Sequence, residues 1–296
     1  MIKLFHKEGV QFLSDIPDDS VDLILTDPPY ITSRDSGMDK WVAHTSRQDE
    51  EGAEDVKTEE EWLAYKTPEQ WAAWFDNSKV AENKRKNKLK KMRQDFIKYG
   101  SIYGKKYAVK TNYGDWDAQF TMEQLELFTK HFYRVLKPGG TCIIFFDLWK
   151  ITPLKELLEG EKFKQIRMIE WIKTNPQPIN SSVNYLTNCR EIALLGIKKS
   201  KPTFNSKYDK GIYYHPLQGG KDRFHPTQKS LPLFEELIKK HSNEGDIVLD
   251  CFAGSSTTAI AAIRTNRKFI GCELEKEYYE KSLARIEREE NKCLSS

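Results

Sequence analysis

The sequence predicts an α/β fold built on a mainly parallel sheet with helices on both faces. Short apolar runs of strand length alternate with amphipathic segments through most of the 296 residues, and strands that are linked by helices usually pair in parallel. One apolar run near the C-terminus is followed by a small-residue turn that opens a helix, an arrangement typical of ligand-binding α/β sheets. In such sheets the site lies at the carboxyl ends of the strands.

Seven short apolar runs predict the strands, which are Ile2–Phe5, Val21–Thr26, Thr141–Phe146, Ile166–Lys173, Glu191–Ile197, Asp246–Asp250 and Lys268–Cys272. Apolar residues at helical spacing predict the helices, which are Met122–Leu136, Pro153–Leu158, Leu231–His241, Ser256–Thr265 and Lys276–Glu290. In the first of these helices Leu125, Phe128 and Phe132 share one face. The Lys-Pro-Gly-Gly sequence at 137–140 is expected to end it.

A polar, charged stretch from Ser33 to about Asp115 interrupts this alternation. It is too long for an ordinary loop in a compact domain, so it predicts an inserted helical lobe. Acidic segments just before Trp62 and Trp71 are typical of helix starts, because acids favour the first turn. The predicted organisation is a core in three pieces (1–32, 116–198 and 225–296), an inserted lobe (33–115) and a further segment (199–224).

The formal net charge of +3 hides an uneven distribution. Residues 47–61 contain eight acids and two bases, whereas residues 78–110 contain twelve bases and two acids. The basic stretch fits either a solvated helix or a surface that meets phosphates. The aromatic residues Phe96, Tyr99, Tyr103 and Tyr107 among the bases favour nucleic acid, since stacking and phosphate contacts often occur together.

The five cysteines show no CxxC spacing, so neither a zinc site nor a disulfide framework is expected, and no metal is predicted. The N-terminal residues predict a strand and not a signal peptide. No run is long and apolar enough to cross a membrane. These features predict a protein of the reducing cytoplasm that has no membrane partner.

Asp27, Pro28, Pro29 and Tyr30 follow an apolar strand and therefore lie at its carboxyl end. The two prolines hold the chain extended, and their carbonyl groups remain available as acceptors. An Asp carboxylate and a neighbouring carbonyl can each accept one hydrogen of a nucleobase amino group, which frees the nitrogen lone pair for attack. An aromatic ring such as that of Tyr30 can stack on a base that has left the duplex. The alternative is a plain turn that ends the strand, since Asp-Pro commonly begins turns.

A second motif follows the strand Asp246–Asp250. The small residues of Cys251–Thr258 form a turn that opens a helix, where backbone N–H groups attract a negative group. The next strand ends in Glu273, which is placed to bind ribose hydroxyl groups. The G-x-G-x-x-G fingerprint of dinucleotide-binding proteins is absent.

These motifs resemble those of the β-class DNA amino-methyltransferases. The likeness covers about residues 1–32 and 113–290, with the catalytic motif first and the cofactor motif last, and His225-Pro226-Thr227-Gln228-Lys229 is similar to the segment that precedes the cofactor strand in that family. The resemblance implies a seven-stranded Rossmann-like methyltransferase sheet with a β-hairpin and a circularly permuted motif order. It also implies S-adenosyl-L-methionine as the cofactor.

The resemblance transfers roles to particular residues. Asp27, Pro28, Pro29 and Tyr30 are the expected catalytic residues. Ser256 and Thr257 are expected to hold the methionine carboxylate of the cofactor. The full set of expected cofactor-binding residues is Glu8, Asp27, His225, Thr227, Gln228, Lys229, Asp250, Phe252, Ala253, Gly254, Ser255, Ser256, Thr257 and Glu273.

Three positions depart from the family pattern. Ser256 stands where the family usually has a second glycine, and Ser230 stands where a proline commonly follows the lysine. The N-terminal strand usually ends in Gly-Asp, whose acid reaches the cofactor adenine. Here that strand is followed by Lys7-Glu8, and the role is assigned to Glu8.

The implied function is site-specific methylation of adenine N6 in double-stranded DNA, with the base flipped out of the helix. Asp27 as the first motif residue favours adenine, whereas cytosine-N4 enzymes of the family more often begin with Ser. Cytosine-N4 methylation is the alternative, and a protein-glutamine methyltransferase or a non-catalytic DNA-binding module are more distant ones. The resemblance is compatible with a homodimer, with a cognate restriction endonuclease and with a bacterial, archaeal or phage-encoded source.

The segment 199–224 is the candidate target-recognition segment, because the family reads its DNA sequence between the catalytic and cofactor halves. It contains side chains that suit base edges and phosphates, among them Asn205, Tyr208, Tyr213 and Tyr214. An ordinary surface loop would have a similar composition. The charged insert is expected to supply further DNA contacts, since this segment is short.

Overall fold

The computed structural model describes residues 1–30, 57–99, 102, 120–176, 186–219, 223–225 and 227–294. The chain divides into two compact units. The first, here called the sheet unit, comprises Met1–Thr32 and Tyr113–Ser296. The second, here called the lobe, comprises Ser33–Asn112. Residues 31–56, 103–119 and 220–222, which include parts of the predicted insert and of the predicted recognition segment, lie outside the described residues.

Eight strands form one sheet in the described part of the chain. In chain order they are β1 (Ile2–His6), β2 (Val21–Thr26), β3 (Leu136–Phe146), β4 (Lys164–Lys173), β5 (Arg190–Ile197), β6 (Ile212–His215), β7 (Ile247–Asp250) and β8 (Lys268–Glu273). Their spatial order is β1-β8-β7-β2-β3-β5-β4-β6. All neighbours are parallel except β5, which is antiparallel to β3 and β4. The predicted mainly parallel α/β sheet is therefore confirmed, and β4 and β5 supply the antiparallel pair expected of a hairpin.

The helices of the sheet unit are α1 (Gly9–Ser14), α5 (Met122–Val135), α6 (Ile151–Gly160), α7 (Leu231–His241), α8 (Thr257–Arg264) and α9 (Lys276–Leu294). The lobe contains α2 (Glu59–Tyr65), α3 (Pro68–Asn77) and α4 (Glu82–Tyr99). Residues of α1, α5 and α6 pack in one apolar cluster on one face of the sheet, and residues of α7, α8 and α9 pack in a second cluster on the other. Both faces are thus covered, as expected of parallel strands.

The predicted count of seven strands is wrong, because β6 adds an eighth within the candidate recognition segment. Gly211, at a φ of +70°, turns the chain, and its N–H donates to the Asp209 carboxylate at 2.8 Å. The four residues then pair with the edge strand β4, and Trp171 Nε1 donates to the His215 carbonyl at 2.8 Å. So short a run has little periodicity of its own, and the open edge of β4 supplies its pairing partner.

Strand β3 begins at Leu136, five residues before the predicted start at Thr141. Leu136 pairs with Val21 and Thr141 pairs with Leu23, so residues 137–140 bulge out of the strand. Gly139 takes a φ of +87° within this bulge, and its N–H donates to the Lys198 carbonyl at 2.6 Å. The Pro-Gly-Gly sequence therefore follows the end of α5 as predicted, but it lies within strand β3.

The lobe has its own small core. Trp62, Trp71, Phe75, Met92 and Phe96 are buried together where α2, α3 and α4 meet. Thr58 and Thr67 form capping boxes at the starts of α2 and α3, which confirms the two predicted helix starts. Among the described residues of the whole chain, no helix has both the length and the apolar character needed to cross a membrane.

Candidate active site

The predicted catalytic tetrapeptide, residues 27–30, and the predicted cofactor turn, residues 251–258, meet at the point where the strand order reverses. Strands β2 and β7 are adjacent and parallel, with Leu23 beside Val248 and Ile24 beside Leu249. From β2 the chain continues to β3 on one side, and from β7 it continues to β8 on the other. Such a switch point opens a crevice at the carboxyl ends of the two strands, which is where open α/β sheets bind ligands.

A hydrogen bond joins the two strand ends across this crevice. Thr26, the residue before the catalytic tetrapeptide, donates from Oγ1 to Asp250 Oδ1 at 2.6 Å. Asp250 also accepts from Thr258 Oγ1 at 2.6 Å and from the Phe252 N–H at 3.1 Å. The sequence predicts Asp250 as a cofactor-binding residue. The structure gives its buried carboxylate three protein donors, and these fix the cofactor turn against the catalytic strand.

The catalytic tetrapeptide follows β2 directly. Pro28 and Pro29 are buried, whereas Asp27 and Tyr30 are partly exposed. The Tyr30 ring packs edge-to-face on Phe146 with centroids 6.1 Å apart. The tetrapeptide therefore presents one carboxylate and one aromatic ring in a largely desolvated setting.

Lys229 connects the tetrapeptide to β5. Its side chain is almost completely buried, and its Nζ lies 3.0 Å from Asp27 Oδ1 and 2.5 Å from Glu191 Oε2. The same Nζ donates to Tyr30 Oη at 3.2 Å. Lys173 completes the group with a 2.7 Å contact between its Nζ and Glu191 Oε1. Because β5 is antiparallel, Glu191 at its beginning lies at the same edge of the sheet as Asp27 and Lys173.

The electrostatics of this group follow from burial. Burial raises the pKa of Asp27 to about 7, although the Lys229 ammonium opposes this shift. Burial also disfavours the charge on Glu191, but Lys229 and Lys173 hold the pKa of that carboxyl below its ordinary value. Burial opposes the charge on Lys229, and Asp27 and Glu191 nevertheless hold its pKa well above the ordinary value. Lys229 and Glu191 are thus ionised at neutral pH, while Asp27 titrates near it.

The cofactor turn has the conformation of a ligand cradle. Gly254 and Ser256 take φ values of +51° and +58°, so the turn places successive backbone N–H groups at the start of α8. The Ser256 hydroxyl is buried and has no hydrogen-bond partner among the described residues. A buried donor without a partner is costly, so this atom is suited to bind a ligand oxygen.

Glu273 accepts two backbone hydrogen bonds at the end of β8. The Gly254 N–H donates to Oε2 at 2.6 Å, and the Glu275 N–H donates to Oε1 at 2.9 Å. Burial raises the pKa of this carboxyl, and the backbone donors oppose that shift. Each oxygen retains a further lone pair for a hydroxyl donor. Glu273 is therefore held next to the turn in an orientation that suits a diol.

Of the other predicted cofactor residues, Glu8 precedes α1, and Phe252 and Ala253 belong to the turn itself. The Glu8 carboxylate caps α1 by accepting from the Val10 and Gln11 N–H groups at 2.9 and 2.8 Å. The Phe252 ring packs on Phe128 with centroids 4.6 Å apart. Ala253 donates from its N–H to the Cys272 carbonyl at 3.1 Å.

His225 approaches the turn, and Thr227, Gln228 and Lys229 lie just before α7. The His225 ring lies beside Gly254, and its pKa is lowered to about 4 by burial and by Lys229. Thr227 Oγ1 lies 3.1 Å from His225 Nδ1, and Thr227 is exposed, whereas Gln228 is buried. The histidine is thus neutral at physiological pH and lies against the cofactor turn.

Several site residues were not identified from the sequence alone. Arg285 of α9 donates from Nη1 to the Ser255 carbonyl at 2.7 Å and to Thr257 Oγ1 at 3.3 Å. Ser282, one turn earlier, donates to the Gly254 carbonyl at 2.7 Å. The available signal was a serine and an arginine three residues apart, beside Ile286, on the buried face of an amphipathic helix. Lys173 and Glu191 resemble residues of the strands that end the catalytic part of the family fold, but the sequence assigns them no role in the site, because their contacts depend on strand pairing.

The candidate recognition segment is only partly available for reading DNA. Asn205 Nδ2 donates to the Lys239 and Ser242 carbonyls at 3.1 and 2.9 Å, so it fixes the segment to the end of α7. Tyr213 is buried, whereas Tyr208 and Tyr214 are exposed. The exposed tyrosines remain candidates for contact with DNA.

The fold and the arrangement of the two motifs are those expected of a Rossmann-like methyltransferase, with residues 27–30 as its predicted catalytic tetrapeptide. A family profile described as DNA methylase, which groups N6 and N4 methyltransferases, matches residues 21–284. The chain is similar to the Type II methyltransferase M2.DpnII of Streptococcus pneumoniae, with 36% identity in a 200-residue alignment, and the match covers 61% of this chain and 74% of that relative. The chain therefore belongs to the N6/N4 DNA methylase family, and it is a DNA methyltransferase.

Two solved structures have the same fold. The M1.HpyAVI–SAM complex matches with a TM-score of 0.57 and 24% identity, over 97% of this chain and 99% of that one. The cytosine-N4-specific PvuII DNA methyltransferase matches with a TM-score of 0.59 and 15% identity, over 99% of this chain and 92% of that one. At these identities the similarity shows the fold and leaves the target base open.

Proposed function

We propose that this enzyme transfers a methyl group from S-adenosylmethionine to N6 of an adenine that is flipped out of double-stranded DNA. The observation that carries the proposal is the placement of Asp27 beside the cofactor turn. These motifs are more than 220 residues apart in sequence, yet Thr26 and Asp250 are in direct hydrogen-bond contact at 2.6 Å. A methyl donor in the turn and an amino group at Asp27 would be neighbours.

The residues of the turn fit the donor. Ser256 Oγ and the N–H groups that begin α8 would bind the methionine carboxylate, and Glu273 would accept hydrogen bonds from the ribose hydroxyls. Phe252 and Glu8 would lie near the adenine ring. When bound, S-adenosylmethionine supplies an activated methyl group on a sulfonium centre.

Asp27 would activate the amino group of the base. Its carboxylate and the Pro28 carbonyl would each accept one amino hydrogen, which shifts the nitrogen toward tetrahedral geometry and localises its lone pair. That lone pair would form the new N–C bond with the donor's methyl group, and the electrons of the broken C–S bond would stay with the donor. The nitrogen then releases one proton to solvent. Tyr30, packed on Phe146, would stack against the flipped base.

The choice of adenine rests on the first residue of the tetrapeptide. Asp is the residue that adenine-N6 enzymes of this family use there, whereas cytosine-N4 enzymes more often have Ser. Cytosine-N4 methylation is the second candidate, because the same donor chemistry acts on either amino group and because the chain shares its fold with a cytosine-N4 enzyme.

We place part of the DNA contact on α4 of the lobe. This helix carries eight bases and two acids, and the lysines at 84, 86, 90 and 91 are exposed. Among the described residues these four side chains form no ion pair, whereas Arg85 and Arg93 pair with Asp76 and Glu59. Lysines without acidic partners are suited to phosphates, because binding there releases the counterions of DNA.

Three further features belong to the same proposal. We expect a homodimer, a cognate restriction endonuclease that cleaves the same site, and a cytoplasmic location. The relative from Streptococcus pneumoniae is named a Type II methyltransferase, which supports the second. Sedimentation of the purified chain tests the first, and resistance of methylated DNA to endonucleases of known specificity tests the second.

The test of the base is direct. Unmethylated genomic DNA is incubated with the enzyme and isotopically labelled S-adenosylmethionine, digested to nucleosides and analysed by mass spectrometry. Labelled N6-methyladenine supports the proposal, and labelled N4-methylcytosine alone replaces it with the second candidate. Detectable cofactor binding without any labelled nucleoside would contradict both.

A further inference from the structure

Lys229 lies at the centre of a buried group of charges. The methyl transfer proposed above assigns no chemical step to this lysine. Its ammonium nitrogen contacts Asp27 at 3.0 Å, Glu191 at 2.5 Å and the Tyr30 hydroxyl at 3.2 Å. Its side chain is 8% exposed. A buried ammonium is stable only when carboxylates compensate its charge. The two acids therefore hold Lys229 in place. Its positive charge in turn favours the ionised form of both acids.

The charges of the group balance only when Asp27 is ionised. Lys173 contacts the second oxygen of Glu191 at 2.7 Å, so two ammonium groups face two carboxylates. The ionisable groups that face Asp27 come from several elements: Tyr30 beyond β2, Glu191 of β5, Lys229 before α7 and Asp250 of β7. Of these four only Lys229 is a cation, so it is the group that favours the carboxylate form of Asp27.

We infer that Lys229 and Glu191 are positioning residues that together set the charge of Asp27. Lys229 favours the ionised carboxylate of Asp27, and Glu191 weakens this effect because it binds the same ammonium group. This inference rests on the proposed function, in which Asp27 must accept a hydrogen of the base amino group. A protonated Asp27 has lost one acceptor site and would be a poor partner for that hydrogen.

The two residues act in opposite directions on the same carboxylate. Burial, with a smaller contribution from Glu191, raises the pKa of Asp27 to about 7, although the contact with Lys229 lowers it. Without the lysine charge, Asp27 would be largely protonated at neutral pH. Without the negative charge of Glu191, the Lys229 ammonium would stabilise the Asp27 carboxylate more strongly, and the pKa of Asp27 would be lower. An opposite charge within about 4–6 Å commonly shifts a carboxyl pKa by about 1–3.

The test compares the pH dependence of kcat/KM for DNA, at saturating S-adenosylmethionine, in the native enzyme and two variants. In the native enzyme the rate falls tenfold per pH unit on the acid side of the Asp27 pKa, because the carboxylate is the active form. Lys229→Gln is expected to move this acid limb to higher pH by about 1–3 pH units, and Glu191→Gln to lower pH. Lys229→Arg, which keeps the charge, should restore most of the native profile.

A matched control separates charge-setting from simple stabilisation. Lys198 is also a buried lysine, with its Nζ 2.7 Å from Asp19 Oδ1, but it lies beyond the far end of β5 from Glu191. Lys198→Gln should lower the melting temperature and leave the acid limb where it is. If both site variants lost activity equally at every pH, or moved the limb in the same direction, the inference would be overturned.

Two further measurements keep the outcome decisive. If Lys229→Gln does not fold, the near-isosteric Glu191→Gln still must move the limb to lower pH. NMR titration of carboxyl-labelled aspartate, with the Asp27 signal assigned from its loss in Asp27→Asn, measures the same shifts without turnover. If no DNA is methylated at any pH, the proposed function fails, yet the opposed NMR shifts would still support the charge-setting pair. Unmoved NMR titrations would contradict it whatever the activity.

Discussion

Asp27 and Glu273 are carboxylates in the same crevice with different hydrogen-bonding partners. Burial raises the pKa of both. Both oxygens of Glu273 accept backbone N–H groups, so its orientation is fixed before any ligand arrives. Asp27 has an ammonium neighbour and a buried Oδ1 without a well-aligned hydrogen bond. Glu273 is therefore suited to the recognition of a ligand, and Asp27 is suited to accept a hydrogen from a reacting group.

The role of Glu273 predicts a binding defect. Glu273→Gln replaces one acceptor oxygen with an NH2 group that faces a backbone N–H, and it removes the charge that ribose hydroxyls would bind. Hydrogen bonds to charged groups contribute about 1.5–3 kcal/mol, so the Kd for S-adenosylmethionine should rise about 10- to 100-fold. Isothermal titration calorimetry measures this Kd. Glu277→Gln, on the exposed side of α9, is the control, and an unchanged Kd for Glu273→Gln would exclude the ribose role.

At the scale of elements, α9 supports the cofactor turn from behind. Ser282 and Arg285 lie on the same helical face and donate to the carbonyls of Gly254 and Ser255. Ser256 carries strain because it is a non-glycine residue at positive φ, and such a conformation persists when the surrounding structure fixes it. The helix therefore supports the predicted cofactor turn through hydrogen bonds to its backbone.

Loss of this support should change cofactor binding and not the chemical step. Arg285→Met keeps much of the side-chain volume and removes the donor to the turn, so KM for S-adenosylmethionine should rise about tenfold while kcat at saturation stays within about twofold. Arg288→Met, an exposed position one turn along the same helix, is the control. A fall in kcat with an unchanged KM would show that Arg285 acts on the reaction itself.

The lobe helix α4 makes a separate prediction about salt. Replacement of its four exposed lysines by Gln should weaken DNA binding and reduce the slope of log K against log salt by about 0.9 for each phosphate contact removed. Fluorescence anisotropy with a labelled duplex at several salt concentrations gives this slope. The control removes four exposed lysines of the sheet unit, Lys155, Lys162, Lys164 and Lys268. Equal slopes in the two variants would show that α4 is not part of the surface that binds DNA.

At the scale of the whole molecule, the parallel sheet brings distant motifs together. The strand-and-helix alternation and both motifs were readable from the sequence, because each depends on neighbouring residues. The group around Lys229 was not, since Glu191 reaches Asp27 only because β5 runs antiparallel between β3 and β4. Strand β6 was missed for the same reason, because its pairing partner is the edge of β4 and not its own sequence.

The contact between the two motifs predicts a stability difference between two threonines. Thr26→Val removes one of three donors to the buried Asp250 carboxylate and should cost about 1–3 kcal/mol. Thr141→Val is the matched control on the adjacent strand, because the Thr141 hydroxyl is buried and has no hydrogen-bond partner among the described residues. Its replacement should be neutral or stabilising. Urea unfolding measures the free energy of unfolding of both variants. Equal losses would show that the Thr26–Asp250 hydrogen bond does not itself stabilise the protein.

In the proposed reaction, Asp27 accepts a hydrogen of a DNA amino group while that nitrogen takes the methyl group from a donor bound in the adjacent turn. The most direct measurement is nucleoside mass spectrometry of unmethylated DNA after incubation with labelled S-adenosylmethionine and either native enzyme or Asp27→Asn. The native enzyme should produce labelled N6-methyladenine. Asp27→Asn should produce none above background while it still binds the donor. Full turnover by Asp27→Asn, or a label on a ring carbon instead of an amino nitrogen, would contradict the account.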